Sequence, residues 1–222
     1  DLSGLGRPGP KETAEGHMST NPPPLDYGVV YHVYNRGVNR EGIFHGPDNY
    51  RYFLDLYTLH VGWLVDTYAY CLLGNHFHFL LRVKDRAAVE GYAREARPDR
   101  SQKTCQVSPE GTSPEIHYDQ PPSRHFSNLF NAYARAFNKR YNRTGGLFQR
   151  PFGRIPVTTD AYFGYLVVYI HQNPQKHGFV ADYRDWPWSS YHALAGERPT
   201  RLDRALVRSE ERRVGKECRS RW

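Results

Sequence analysis

The pattern of apolar and polar positions divides the chain into strands and helices. Four stretches are rich in β-branched and aromatic residues, as is typical of strands: 29–37, 64–73, 76–83 and the part of 144–158 after Gly145-Gly146. Three others repeat apolar residues every three or four positions, as helices do: 48–63, 123–142 and 160–174. Between the second and third strands, Gly74-Asn75 predicts a two-residue hairpin turn.

The order of these elements predicts the fold class. The chain runs strand, helix, strand, strand, helix, strand, helix. The first six elements form a βαββαβ pattern, which predicts an α+β protein with a ferredoxin-like antiparallel sheet and helices on one face. Asp48 and Asp160 are expected to be helix N-caps, and Pro174 is expected to end the last helix.

The predicted domain covers residues 28–195. An inserted loop is expected at 92–123, because this stretch contains five prolines and shows no periodicity. Residues 1–27 are polar and rich in Gly and Pro, so a disordered or non-native tail is expected there. Residues 196–207 form a C-terminal extension. Residues 208–222 match an in-frame translation of a sequencing adapter, so the natural sequence is expected to stop near position 207.

Charge and cysteine usage narrow the functional classes. The 222 residues include 30 Lys and Arg against 23 Asp and Glu, for a net charge of +7 and a pI near 9.3, which favours a polyanionic partner such as nucleic acid. Three scattered cysteines provide no disulfide framework, so a reducing compartment, the cytoplasm, is expected. No apolar run approaches the roughly 20 residues of a membrane span.

Two histidines interrupt the apolar run of residues 70–83. Because strand side chains alternate, His76 and His78 share one face, and Phe77 and Phe79 share the other. Neighbouring imidazoles on one face are well placed to bind one metal ion. The alternative is a hydrogen-bonded histidine pair packed between the sheet and a helix.

The last predicted helix offers three candidate nucleophiles. Spacings of three and four residues place Tyr162, Tyr165 and Tyr169 on one face, and Asn173 extends that face by a further turn. Periodicity does not choose among the tyrosines, and any of them can equally be a core aromatic. His171 is expected to point away from this face.

Residues 138–154 contain a run of cations with aromatic residues between them and no acidic residue. This composition predicts a DNA-backbone groove with stacking platforms at Tyr141, Phe148 and Phe152, whereas the alternative is a solvated charged face. With two further candidates outside the run, the predicted DNA-binding residues are Arg36, Lys139, Arg140, Arg143, Arg150, Arg154 and Lys176.

Five ordered sequence blocks resemble a known family. They are YHVYNRGVNREGIF, YCLLGNHFHFLLRV, FNKRYNRTGGLFQRPFGRIPV, YLVVYIHQNPQKHGFV and WPWSSY. The motif GNHFHFLL is similar to the His-hydrophobic-His motif of HUH endonucleases. The order of blocks resembles the single-tyrosine HUH transposases, most closely the branch of REP-associated tyrosine transposases. The resemblance spans residues 28–195, interrupted at 92–123.

The resemblance implies a chemistry and assigns residues to it. It implies cleavage of single-stranded DNA near a hairpin by Tyr169, through a covalent 5′-phosphotyrosine, with a divalent metal, Mg or Mn, held by His76, His78 and Asn173. The broader family usually has glutamine at the third position, and a helix cap is the alternative role of Asn173. His177 is expected to cap the same helix. The implied protein is bacterial, cytoplasmic and nucleoid-associated, and acts as a monomer or homodimer.

Two other functions compete with this one. A hairpin DNA-binding protein without cleavage activity would bind a labelled oligonucleotide but form no covalent adduct. A metal-dependent hydrolase of small phosphoesters would not need the basic residues, and it would remain active after a Tyr169→Phe change.

Overall fold

The computed structural model describes residues 23–96 and 119–208. The strands are β1 (Val30–Arg36), β2 (Val65–Leu73), β3 (His76–Val83) and β4 (Gly153–Pro156). The helices are α1 (Pro47–His60), α2 (Arg86–Ala96), α3 (Pro122–Arg140), α4 (Asp160–Lys176) and α5 (Tyr191–Ala195). The predicted strands and helices are therefore confirmed in type and order.

The four strands form one antiparallel sheet in the order β2-β3-β1-β4. Strand β3 follows β2 through the two-residue turn predicted at Gly74-Asn75, and β1 lies between β3 and β4. The register places Tyr34 of β1 opposite both His78 of β3 and Gly153 of β4. The α+β, ferredoxin-like prediction is confirmed.

One face of the sheet carries the larger core. Phe77 and Phe79 of β3 are buried there against Phe53 of α1, with ring centroids 5.1 and 6.4 Å from the Phe53 ring. Phe130 of α3 contacts the Phe77 ring at 5.6 Å. Helices α1 and α3 therefore cover this face, as the βαββαβ pattern predicts.

The opposite face is covered by α4. Leu80 of β3 is buried in a second core together with Leu166, Val167 and Ile170 of α4. Because residues 76, 78 and 80 of a strand point to the same side, α4 lies over the face that carries both histidines. This position brings the tyrosines of the helix to the histidine face of the sheet.

Two helix boundaries differ from those expected. The N-cap of α1 is Gly46 rather than Asp48, which lies within the first turn. The N-cap of α4 is Thr159 rather than Asp160, and its hydroxyl accepts a hydrogen bond from the backbone N–H of Tyr162 at 3.2 Å. The Thr159 hydroxyl, one residue before the expected cap, therefore satisfies a backbone amide of the first turn that has no partner within the helix.

The last helix and the predicted insertion also differ in extent. Pro174 lies inside α4, which continues to Lys176, so the expected stop at Pro174 is wrong. Helix α2 occupies residues 92–96 of the predicted loop, and α3 begins at Pro122, inside its other end. Residues 97–118 lie outside the described residues.

The segment after α4 packs along β2. Trp186 donates its indole N–H to the carbonyl of Leu72 at 2.9 Å, and the Trp188 ring stacks on Tyr50 at 4.6 Å. Val207 is fully buried in the second core. Of the predicted read-through tail, residues 209–222 lie outside the described residues. No helix within residues 23–96 and 119–208 is long and apolar enough to cross a membrane.

Candidate active site

Three histidines, rather than two, meet on the α4 face of the sheet. His76 and His78 of β3 have ring centroids 5.3 Å apart. His32 of β1 lies beside them, with its Nε2 atom 2.9 Å from Nδ1 of His78. All three side chains are buried. The strand register produces this cluster, because residues 32 and 78 are diagonal neighbours on adjacent antiparallel strands.

Helix α4 brings Tyr169 to the histidine cluster. The Tyr169 ring lies edge-on to His78 and to His32, with centroid distances of 5.7 and 6.3 Å. The ammonium nitrogen of Lys176 lies 5.0 Å from the Tyr169 ring centroid. The imidazoles and the phenol therefore converge within a single chain.

The electrostatic environment keeps the cluster neutral at physiological pH. Burial lowers the pKa of His76 to about 3, assisted by the nearby charges of His177 and Arg36. Burial and the neighbouring imidazoles hold the pKa of His78 well below its usual range, and burial lowers the pKa of His32 to about 4. A neutral imidazole has a free nitrogen lone pair, which is the form that binds metal ions.

Asn173 fits the role of a third ligand. Its side chain is 1 % exposed, and its Nδ2 donates to the backbone carbonyl of Tyr169 at 2.8 Å. The amide oxygen is buried without a hydrogen-bond partner. An orphaned buried acceptor is costly in a folded protein unless another group, such as a cation, satisfies it. Because α4 continues past this residue, the alternative role as a helix cap is wrong.

The donor set suits a small divalent cation. Within residues 23–96 and 119–208, no three side chains of the types His, Cys, Asp and Glu are grouped so that they could hold a metal ion. A site here would therefore combine His76 and His78 with the amide oxygen of Asn173. Two imidazoles and one oxygen ligand leave positions for phosphate and water oxygens, an arrangement compatible with Mg or Mn.

The three tyrosines of α4 differ in what surrounds them. Their rings form a row, with centroid distances of 6.3 Å from Tyr162 to Tyr165 and 5.9 Å from Tyr165 to Tyr169. Tyr165 is exposed, whereas the Tyr169 ring contacts His78 and His32. Proximity to the imidazoles therefore favours Tyr169.

Two other histidines of this region differ in position. His171 points away, as expected: its Nε2 lies 2.8 Å from the hydroxyl of Ser190 in a buried contact. His177 is the C-cap residue of α4, as expected, and its ring also lies edge-on to His76 at 4.9 Å. No pattern in the sequence indicates this second contact.

The predicted DNA-binding residues do not form one surface. Arg36 and Lys176 lie near the histidine cluster, since Arg36 is paired with His76 in the β1–β3 register and Lys176 lies over the Tyr169 ring. Arg143 forms an ion pair with Glu41, and Arg140 lies 3.7 Å from a carboxylate oxygen of Asp48. These two cations are therefore compensated by acidic residues from an earlier segment, contrary to the interpretation of residues 138–154 alone.

Two of the predicted cations line a cavity of about 710 Å³ beside α3. Arg150 donates to the side-chain oxygen of Asn131 at 3.0 Å, and Arg154 has two buried guanidinium nitrogens without hydrogen-bond partners. Arg124 and Arg135, which the sequence analysis missed, line the same cavity. The sequence did contain a signal for them. Both lie on the predicted helix eleven residues apart, about three turns, a spacing that places two side chains on the same helix face.

The cavity opens on the α3 face of the sheet. Arg154 pairs in register with Val33, whose side chain is in the larger core, so this arginine points away from the histidine face. Lys139 is exposed and does not line the cavity. A DNA strand in contact with both regions would have to pass over the β4 edge of the sheet.

The predicted stacking platforms are not exposed. Phe148 and Phe152 are both buried in the larger core, so their role as base-stacking surfaces is wrong. Tyr141 is half-buried, and its hydroxyl donates to the side-chain oxygen of Asn49 at 2.9 Å. Local sequence could not distinguish these rings from exposed ones, because the neighbouring residues are cationic.

Comparisons with known proteins support the family resemblance. No protein-family model matches the chain. A REP-associated tyrosine transposase of Haemophilus influenzae is 29 % identical over 129 residues, which are 57 % of this chain and 59 % of that protein. The chain thus spans less than two thirds of the length of this curated relative.

A solved structure is similar in fold. It is a REP-associated tyrosine transposase bound to a REP hairpin, and it matches with a TM-score of 0.51 and 16 % sequence identity over 80 % of this chain and 86 % of that one. The sequence match and the shared fold together confirm the resemblance to the REP-associated tyrosine transposases.

Proposed function

We propose that this chain is a divalent-metal-dependent DNA endonuclease and strand transferase of the REP-associated tyrosine transposase type. It cleaves single-stranded DNA beside a hairpin and forms a covalent 5′-phosphotyrosine. The observation that carries the proposal is the contact of the Tyr169 ring with His78, across the face where α4 crosses the sheet. The names of the two similar proteins support the transposase assignment, and that of the solved structure also names a REP hairpin as its bound DNA.

The reacting group is the Tyr169 hydroxyl. Its oxygen attacks the scissile phosphorus, the new O–P bond forms as the P–O3′ bond breaks, and the strand keeps its 5′-phosphate on the tyrosine. The phenol proton passes to solvent and the departing 3′ oxygen takes up a proton, so the step balances and the energy of the phosphodiester is retained. Lys176 places a positive charge beside the ring whose oxygen becomes negative during proton loss.

His76, His78 and Asn173 would hold the cation. A divalent ion bound there would polarise the phosphate oxygens and offset the negative charge that develops in the transition state. The low pKa values of the two imidazoles keep them from binding protons in competition with the metal. Their burial also excludes the water that would weaken these interactions.

The arginines on the histidine face of the sheet and those on the α3 face would have different roles. Arg36 lies beside the histidine cluster and would bind the phosphates that flank the cleaved bond. Arg150 and Arg154, on the α3 face, would bind the backbone of the same DNA further along, with Arg124 and Arg135. Binding of this kind is electrostatic and carries no sequence information.

The decisive experiment traps the covalent intermediate. A labelled oligonucleotide with a hairpin and a single-stranded flank is incubated with the protein and Mg or Mn, then separated on a denaturing gel. We expect an adduct that requires metal, disappears in Tyr169→Phe and persists in Tyr165→Phe, the matched control one turn earlier. Peptide mapping of the adduct identifies the modified tyrosine.

The other outcomes decide between the competing functions. Hairpin binding without an adduct in either metal would support a binding protein that does not cleave. An adduct that survives Tyr169→Phe would overturn the assignment of the nucleophile. The cytoplasmic location and the oligomeric state remain predictions.

A further inference from the structure

We propose that Asn75 and His32 are positioning residues that hold His76 and His78 in the tautomer with the proton on Nδ1, so that both rings present the Nε2 lone pair to one cation. The inference rests on the metal site proposed above. It adds a specific role for two residues that contact the Nδ1 atoms of the imidazoles, the nitrogens that would not bind the ion. Neither has a place in the chemistry described so far.

In the first pair, the side-chain amide of Asn75 determines which ring nitrogen of His76 carries the hydrogen. Nδ1 of His76 lies 2.7 Å from the side-chain oxygen of Asn75. An amide oxygen only accepts hydrogen bonds, so Nδ1 of His76 carries the hydrogen and its Nε2 keeps the lone pair. The orientation of the amide is set by its other end, where Nδ2 donates to the backbone carbonyl of Arg40 at 3.2 Å.

The second pair is two imidazoles, so one ring must donate and the other accept. Nδ1 of His78 lies 2.9 Å from Nε2 of His32, which leaves only Nε2 of His78 for a metal ion. That nitrogen binds metal only without a hydrogen, so Nδ1 of His78 must be the donor and Nε2 of His32 the acceptor. His32 is therefore required in the same tautomer as the other two histidines, with its hydrogen on Nδ1 and the lone pair of Nε2 directed at Nδ1 of His78.

The backbone holds both positioning residues rigidly. Asn75 lies in the β2–β3 turn, and its backbone carbonyl accepts from the N–H of Gly37 at 2.9 Å. His32 is held by the β1–β3 register, which pairs it with Leu80, two residues beyond His78. Hydrogen-bond partners of this kind orient metal-binding histidines and typically affect metal affinity by about 10- to 100-fold.

Mn²⁺ affinity, measured without DNA by titration calorimetry or electron paramagnetic resonance, tests the two contacts. We expect His32→Leu and Asn75→Leu each to weaken Mn²⁺ binding by about 10- to 100-fold. His32→Gln replaces the accepting ring nitrogen by an amide oxygen and Asn75→Asp keeps a side-chain oxygen acceptor, so both should recover most of the affinity. The matched control is His171→Gln, which changes a buried histidine that contacts Ser190 instead, and it should bind Mn²⁺ as the wild type does.

Nitrogen-15 NMR of the histidine rings tests the tautomers directly in the metal-free protein. We expect protonated Nδ1 in His76 and His78 and a non-protonated Nε2 in His32. A proton on Nε2 of either His76 or His78 would overturn the inference, as would leucine variants that fold and bind Mn²⁺ normally. If the wild type shows these tautomers but binds no divalent metal, the proposed function fails and the positioning of the rings stands.

Discussion

A single methyl group on Gly153 should disturb the candidate site from the neighbouring strand. An ideal Cβ at this position would lie 2.3 Å from Cζ and 2.4 Å from Cε2 of Tyr34. These distances are far below van der Waals contact, and the obstructing atoms belong to a rigid ring. The ring already contacts His32 and His78, with centroid distances of 5.1 and 6.1 Å, so it has little room to move.

The expected cost of Gly153→Ala follows from overpacking. Forcing an extra methyl into a packed site typically costs about 1–3 kcal/mol. For a chain of this size, each kcal/mol corresponds to about 2–4 °C in melting temperature, so a loss of roughly 2–12 °C is expected. Displacement of the imidazoles should also slow adduct formation, since a misplacement of about 1 Å in an active site costs on the order of 100-fold.

Thermal unfolding and the rate of the metal-dependent adduct are the two measurements. Gly146→Ala is the matched control, because its Cβ would meet only Val38, at an ordinary distance of 3.9 Å. In a Tyr34→Ala background, Gly153→Ala should cost much less, because the obstructing ring is gone. Gly153→Ala with wild-type melting temperature and rate would refute the reasoning, and an equal cost in both backgrounds would show that Tyr34 is not the cause.

Three further predictions concern separate parts of the molecule. Asn173→Ala removes the orphaned oxygen and should weaken Mn²⁺ binding at least about tenfold, measured by calorimetry; an unchanged affinity would exclude this residue as a ligand. Arg154→Gln should lower the affinity for DNA. It should also make the slope of log binding constant against log salt concentration less negative by about 0.7, and an unchanged slope would argue against a phosphate contact. Burial lowers the pKa of His171 to about 4, whereas an imidazole in the unfolded chain has a pKa of about 6.5. Below pH 6.5 the imidazole therefore binds a proton more readily in the unfolded chain than in the folded one. The free energy of unfolding should fall by about 3 kcal/mol as the pH is lowered from 6.5 to 4. Urea unfolding should show a shallower pH dependence in His171→Gln, and an unchanged dependence would contradict this assignment.

Local periodicity was sufficient to predict much of the fold. Strand alternation correctly separated His76 and His78 from Phe77 and Phe79, because successive side chains of a strand necessarily point to opposite faces. Gly74-Asn75 correctly marked the hairpin, since these residues readily adopt the turn conformation. Helix boundaries were less accurate, because Thr159 and Asp160 are both good caps and the sequence does not say which one adopts the extended backbone.

Periodicity placed three candidate nucleophiles on one face of α4 but could not choose among them. Tyr162, Tyr165 and Tyr169 differ in distance from the imidazoles, and that distance depends on how α4 crosses the sheet. The family resemblance chose Tyr169 before the structure placed it against His78. The crossing is set by the second core, where apolar residues of α4 and β3 are buried together.

What only the tertiary structure decided is which residues from distant segments meet. His32 and His78 are 46 residues apart and become partners through the register of β1 and β3. Glu41 and Arg143 are separated by 102 residues, so the cationic run looked uncompensated when it was considered alone. Side-chain periodicity is a property of neighbouring residues, whereas the pairing of charges and hydrogen bonds depends on which faces the folded core brings together.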